Sequence, residues 1–254
     1  MQEVGEVKQR LMQKEKVYGS FIANPGWAGY IEILKHHGYD FVVFDTEHSP
    51  MSYENLESYI RTARLAGIQS IIRVNDHQYS LFARAMDMGC DSIMIPRVEY
   101  AEQLREMISW AKYPPAGRRG GGGYMTLFEP DKAKFLRDAN EKGIIMVQIE
   151  SQEGIRNLEA ILEVPGVDVI LVGPFDLSID LGVPGDTKHP KMVEAIEGII
   201  AKCQGKGVPV GIHLGSAAEA KYWSERGITV LSLASDLSAL YVRAKENIET
   251  ARGY

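Results

Sequence analysis

Two acidic segments about 25 residues apart have the residue types of a cation site: Val147-Gln148-Ile149-Glu150-Ser151 and Val172-Gly173-Pro174-Phe175-Asp176-Leu177. Each sits where an apolar run stops and a helical pattern starts. Apolar runs of this kind, bounded by turn residues, read as buried parallel strands. A carboxylate at the C-terminal end of such a strand faces the mouth of an α/β fold, where ligands bind. Neighbouring strands lie only about 5 Å apart, so Glu150 and Asp176 could share one hard cation if their strands pair. The competing reading of each acid is an exposed loop residue or a helix cap. Mg²⁺ or Mn²⁺ takes about six oxygen ligands, leaving roughly four places for water or substrate beyond these two carboxylates. Two adjacent oxygens of a 2-keto acid would chelate well there. An all-oxygen pair does not suit structural zinc, which prefers Cys and His.

Other polar residues fall at equivalent places. Asp45-Thr46-Glu47-His48 follows one apolar run, and Arg73-Val74-Asn75-Asp76 follows the next. Gln148 precedes Glu150, His213 ends a later run, and Ser235-Asp236 ends the last. His48, with Asp45 three residues earlier, has the pattern of a carboxylate-paired general base near neutral pH. Its alternative is a structural or exposed histidine. Arg73 could stabilise charge on an enolate or carbonyl oxygen, or simply bridge the mouth as an ion pair. Gly173-Pro174-Phe175-Asp176 begins a helical turn whose Phe175 and Asp176 amides can receive a carboxylate. The alternative there is a plain strand-to-helix turn. His213 could merely line the pocket. His36, His37 and His77 read as exposed, and His189 as a loop residue.

These residues need a scaffold that brings many strand ends to one place. Eight apolar strand candidates recur: Val17–Ala23, Phe41–Thr46, Ser70–Val74, Ser92–Pro96, Ile144–Glu150, Val169–Gly173, Val208–His213 and Thr229–Ser235. Helical patterns separate them, as at Leu56, Tyr59, Ile60 and Ala63, with apolar spacings of three and four. Glycines Gly38, Gly67, Gly89, Gly143, Gly207 and Gly227 mark helix exits. Strict alternation with eight strands predicts an α/β chain folded as a (β/α)8 barrel, a single domain over residues 1–254. An open doubly wound sheet is the competitor, but no G-x-G-x-x-G follows the first strand. Tyr113 to Asp131 interrupts the rhythm with Pro114-Pro115, Arg118-Arg119 and the glycines Gly120 to Gly123. It reads either as a mobile active-site flap or as a surface loop. No lysine falls within the eight strands, which argues against a Schiff-base aldolase and leaves metal activation to polarise a carbonyl.

The 254 residues are 45% hydrophobic with a net charge of −6 and no long basic run, which argues against nucleic acid as the main partner. Cys90 and Cys203 have no C-x-x-C spacing, as in a reduced intracellular protein. The polar N-terminal residues carry no apolar signal core, and no run of 18 apolar residues exists. The expectation is a soluble, cytoplasmic protein that does not engage a membrane.

Several segments in order resemble the HpcH/HpaI aldolase family of metal-dependent class II pyruvate aldolases. They are Phe44-Asp45-Thr46-Glu47-His48-Ser49-Pro50, Ile72-Arg73-Val74-Asn75, Tyr113 to Gly120, Gln148-Ile149-Glu150, Gly166-Val167-Asp168, Gly173 to Ser178 and Leu181-Gly182. The resemblance spans about residues 18 to 240, and is similar to macrophomate synthase and, more distantly, to the citrate lyase β-subunit. It implies a barrel whose eighth helix is swapped between subunits, in dimers that build hexamers. It implies that Glu150 and Asp176 hold Mg²⁺, Mn²⁺ or Co²⁺, and that His48, supported by Asp45, is the base acting through a metal-bound water. Arg73 would hold the keto oxygen, with Gln148 in the same pocket. The turn Gly173, Pro174, Phe175 and Asp176 would receive the carboxylate, and Asp87 would reach the neighbouring subunit's site. Two positions depart from the family pattern: Gly123 stands where a serine is frequent, and His213 where an apolar residue is frequent. Both are expected at the barrel mouth, facing the acceptor aldehyde.

The expected activity is reversible cleavage of a 4-hydroxy-2-keto acid, a sugar-acid or aromatic-catabolite derivative, into pyruvate and an aldehyde. The rivals are an oxaloacetate decarboxylase or macrophomate-synthase-like enzyme using the same enolate, an acyl-CoA lyase of the citrate lyase type, and a catalytically silent barrel.

Overall fold

Residues alternate between the two faces of a strand, so a strand walled in on both sides must be apolar at every position. Eight segments approach that demand, with few polar residues among them, and form strands: β1 Val17–Ile22, β2 Phe41–Asp45, β3 Gln69–Arg73, β4 Ser92–Ile95, β5 Ile145–Ile149, β6 Val169–Val172, β7 Val210–Leu214 and β8 Val230–Ser235. In the computed structural model, which describes residues 5–24 and 26–253, they close in sequence order into a barrel. Neighbours are parallel throughout, including the seam between β1 and β8. This is the (β/α)8 barrel the alternation predicts, with each strand within two residues of its expected bounds.

The two faces of the strands build two cores. Phe21, Phe41, Val43, Ile71, Met94, Met146, Leu171 and Val230 fill the barrel interior. The intervening residues, such as Val42, Phe44, Ile72, Val147, Ile170 and Ile212, pack outward under the helices. Small and large residues interlock inside. A β-carbon at Gly19 would fall 2.2 Å from the Phe41 ring, so Phe41 occupies the space that Gly19 leaves. Helix Glu6–Met12 plugs the N-terminal end, with Val7 and Leu11 buried against the interior cluster.

The same alternation determines what reaches the mouth. The inward series Phe41, Val43 continues to Asp45, and Ile71 continues to Arg73. Met146 continues to Gln148 and Glu150, and Val230 to Ser232. The interior is thus apolar at depth and polar in its last layer. Helix Tyr53–Ala66 starts on a Ser52 cap and ends at Gly67 in the left-handed conformation, φ 69°, which favours glycine. The long interruption folds as a short 3₁₀ turn, Tyr124–Leu127, followed by helix Lys132–Lys142 capped by Asp131. Among the described residues no helix is long and apolar enough to cross a membrane.

Candidate active site

The β2–β3 register sets Asp45 directly beside Arg73. Asp45 accepts from Arg73 Nε at 2.9 Å and from Nη2 at 2.7 Å, a two-pronged pair that fixes the guanidinium plane. Burial alone would raise the Asp45 pKa, but the Arg73 bonds and charge, with the N–H groups of His48 and Glu47, hold it below the usual carboxylate range. Arg73 also meets Glu47 through Nη1 at 3.3 Å, and the Glu47 side chain is only 7% exposed. The expected side-chain pairing of His48 with Asp45 does not form. Asp45 spends its oxygens on Arg73 and on the N–H groups of Glu47 and His48, so it holds the His48 backbone, not its ring. The ring, 62% exposed, has Glu47 as its nearest carboxylate, Nε2 to Oε2 at 3.7 Å.

Across the mouth, the β5–β6 register pairs Ile149 with Val172 and brings Glu150 beside Gly173. Glu150 is buried and accepts from the Arg97 N–H at 2.8 Å. Gln148 donates to the other Glu150 oxygen, while its own Oε1 is buried with no protein partner. Burial pushes the Glu150 pKa up to about 7, opposed by the Arg97 N–H and reinforced by the charges of Asp176 and Glu47. Asp176 is exposed in the first turn of helix Pro174–Asp180. This donor set fits a hard divalent cation: a crowded, dehydrated carboxylate, a second carboxylate bearing on it, and a spare amide oxygen. No group of three or more His, Cys, Asp or Glu side chains is arranged for a metal among the described residues, so water and substrate would complete the shell.

Gly173 is required by this crowding. A β-carbon there would lie 2.4 Å from Glu150 Oε2 and 2.6 Å from Gln148 Nε2. Gly173→Ala is expected to displace Glu150 and lower turnover roughly 10²-fold, the scale of a misplacement near 1 Å. Cation affinity should fall with it while the circular dichroism melt stays cooperative. Wild-type affinity and turnover in the variant would show that Glu150 has room to move.

His213 and Ser232 face each other in the β7–β8 register, Nδ1 to Oγ at 3.0 Å. The ring packs on Phe21 at 4.5 Å between centroids, and Phe21 also lies under the Arg73 guanidinium. Burial, then the Arg73 charge, pushes the His213 pKa down to about 4, so the imidazole is neutral at pH 7.

Asp87 is expected to serve a neighbouring subunit's site, and the Arg118–Gly123 loop to lie at the mouth. Asp87 ends helix Tyr79–Asp87, which runs back from the mouth, so it sits at the opposite end of its own barrel. The Arg118–Gly123 loop is there too, and not at the mouth: Arg118 and Arg119 donate their N–H groups to Ser109 and Lys112 at the end of helix Ala101–Ala111. The glycine run serves close approach. Arg119 donates to Asp87 at 2.8 Å, and β-carbons at Gly122 and Gly123 would strike Asp87 at 2.9 and 2.6 Å. Of the histidines read as exposed, His77 is half-buried, its Nε2 2.9 Å from the Pro96 carbonyl.

Three residues at the mouth carried no role in the sequence reading. Glu47 joins Arg73, Arg97 and His48 on one carboxylate. Its position two residues after Asp45 was the available signal. Ser232 had none, because only the register places it against His213. Arg97, two residues past β4, adopts φ 50°, and nothing in its type announces a left-handed backbone.

The sequence profile of the HpcH/HpaI aldolase/citrate lyase family matches residues 24–242. A hydroxypyruvate/pyruvate aldolase of Chromohalobacter salexigens is 32% identical, over 89% of this chain and 92% of its own. A 2-dehydro-3,6-dideoxy-6-sulfogluconate aldolase of Pseudomonas putida is 34% identical, over 89% of each. The crystal structure of an HpcH/HpaI aldolase from Desulfitobacterium hafniense superposes with a TM-score of 0.92 at 31% identity, covering 98% of this chain and 97% of the other. With its barrel, its matched span and these relatives, the chain belongs to the HpcH/HpaI aldolase/citrate lyase family.

Proposed function

We propose that the protein is a metal-dependent class II aldolase that cleaves a 4-hydroxy-2-keto acid to pyruvate and an aldehyde, reversibly. The observation that carries this reading is the meeting, at one mouth, of Glu150 and Asp176 with an oriented Arg73 and an accessible His48. The named aldolase relatives support it. A divalent cation held by Glu150 and Asp176, of the class Mg²⁺, Mn²⁺ or Co²⁺, supplies Lewis acidity toward the keto-acid carboxylate and carbonyl. Arg73, locked by Asp45, presents fixed positive charge where the keto oxygen gains negative charge. His48 takes the C4 hydroxyl proton as that carbon becomes the aldehyde carbonyl. The C3–C4 electron pair passes into the enolate, and a proton on C3 completes pyruvate. The first-turn N–H groups of Phe175 and Asp176, which lack intrahelical acceptors, face the carboxylate, and Gln148 steadies Glu150.

The enzyme would work in the cytoplasm as a homo-oligomer, built on dimers and assembling to hexamers. Helix Asp236–Arg252 supports this, with Leu237, Leu240, Tyr241, Val242 and Ile248 exposed, as a helix swapped onto a neighbouring barrel requires. The distance of Asp87 from its own mouth supports a role in a partner's site.

Incubating the protein with pyruvate, Mn²⁺ and a panel of aldehydes, with product identification, tests the activity. Pyruvate release from oxaloacetate with no aldol formed from any aldehyde would favour a decarboxylase. The same panel on His213→Leu should preserve deuterium exchange into pyruvate yet change the aldehyde ranking, disfavouring hydroxylated acceptors, because a hydrogen-bonding wall becomes apolar. An unchanged ranking would remove His213 from acceptor selection.

A further inference from the structure

We propose that the Arg97 guanidinium is a subsite for an anionic group on the acceptor aldehyde; this rests on the aldolase reading above. Arg97 follows Pro96 at the end of β4, on the rim of the mouth. Its backbone is pinned, because its N–H donates to Glu150 Oε1 at 2.8 Å. Its side chain is 62% exposed and leans on Glu47, Nε to Oε1 at 3.1 Å. That carboxylate also bears on Arg73 and on the His48 ring, so the Arg97 head group is held beside the residue assigned to the acceptor's proton. Only Nε has a partner among the described residues. Both terminal nitrogens remain for a planar two-oxygen anion, the geometry a guanidinium matches best. The exposed Asp76 carboxylate is near enough for the two charges to interact, which leaves the guanidinium oriented at the rim without being buried.

The backbone adds a separate argument. Arg97 sits at φ 50°, where glycine or asparagine is favoured and a long side chain brings no conformational advantage. Strained non-glycine positions of this kind cluster at ligand sites. A backbone N–H on Glu150 would be supplied equally by glycine, so the strain is accounted for by the head group. Keto-acid binding does not need it, since Arg73 and the Phe175 and Asp176 amides already face that end. Arg73 reaches the same Glu47 carboxylate but is committed to Asp45 and the keto-acid end, so among the described residues Arg97 is the cation beside His48 with terminal nitrogens to spare. A carboxylate or sulfonate on the aldehyde is the chemistry that fits.

The test compares two acceptors of equal carbon number, anionic glyoxylate and neutral glycolaldehyde, with pyruvate and Mn²⁺, in wild type, Arg97→Met and Arg97→Lys. In Arg97→Met the ratio of kcat/KM for glyoxylate to that for glycolaldehyde should fall roughly ten-fold, the scale of a part-exposed charge-assisted bond. Arg97→Lys should recover part of it, and the wild-type ratio should fall with added salt. Deuterium exchange into pyruvate and the melting temperature are followed in parallel. An unchanged ratio, equal losses for both acceptors, or a matching loss of pyruvate exchange would overturn the inference, the last two by showing that Arg97 only positions Glu47. A wild type that neither exchanges pyruvate protons nor condenses with either aldehyde would overturn the aldolase reading, and the inference with it.

Discussion

Glu150→Gln and Asp176→Asn are each expected to abolish divalent-cation binding and lower aldol turnover by roughly 10³-fold or more, with the barrel still folded. Glutamine at 150 keeps the size of the side chain and an acceptor oxygen for the Arg97 N–H. It also removes a buried charge that Asp176 and Glu47 oppose, so melting should hold or rise. Asp176 is exposed, and its loss costs the fold little. Cation stoichiometry by equilibrium dialysis, the melting curve and turnover together separate loss of the site from loss of the fold. Full activity in chelator-treated wild type would sink the assignment. So would borohydride trapping of a pyruvate–lysine adduct. None of the eight strands contains a lysine. The buried Lys112, its pKa pushed down to about 8 by burial, lies at the far end of the barrel and donates to the Asn140 carbonyl.

His48→Ala should lower the aldol rate by roughly 10²–10⁴-fold, the range for a lost general base. Stability should hardly change, because the ring is largely exposed and the backbone N–H that Asp45 accepts is retained in alanine. Pyruvate should still bind, since Arg73, Glu150, Asp176 and the Phe175 amide are untouched. The defect should therefore lie in kcat and not in pyruvate affinity, which titration of pyruvate by calorimetry can read. Near-normal turnover in the variant would make His48 structural and require another base, with Glu47 the nearest candidate.

The barrel was legible because its signal is redundant: each strand is centred on a short, mainly apolar run, and most are preceded by a helix-ending glycine. Strand ends were legible for the same reason, so Asp45, Arg73, Gln148, Glu150 and His213 could be placed at one mouth from pattern alone. Which groups bond to which was not. Asp45 stood three residues before His48, yet the register gives its side chain to Arg73. Proximity along the chain favoured one partner, and proximity across the sheet decided on another. The Arg118–Gly123 loop shows a related limit. Helices run back from the mouth, so a loop anchored on a helix end belongs to the opposite face, and the glycine-rich loop, read either as a mobile flap or as a surface loop, packs against one carboxylate. Arg97 was hidden because a left-handed arginine has no sequence signature.

The seam between β1 and β8 bears on the order of events during synthesis. Ser20 Oγ donates to the Ala234 carbonyl, and the Asp236 carboxylate accepts the N–H groups of Ala23 and Asn24 at 3.0 and 2.9 Å, across more than 200 residues of chain. Contacts so distant in sequence carry the largest loop-closure cost and form late. Until the ribosome has released Asp236, the first strand has a free edge, and Phe21 lacks the His213–Ser232 wall that completes its side of the mouth. A nascent chain can assemble the Asp45–Arg73 pair early, but it cannot enclose a substrate. Competence therefore requires β8 to close on β1, and in an incomplete chain the unpaired β1 edge is a place where another strand can add.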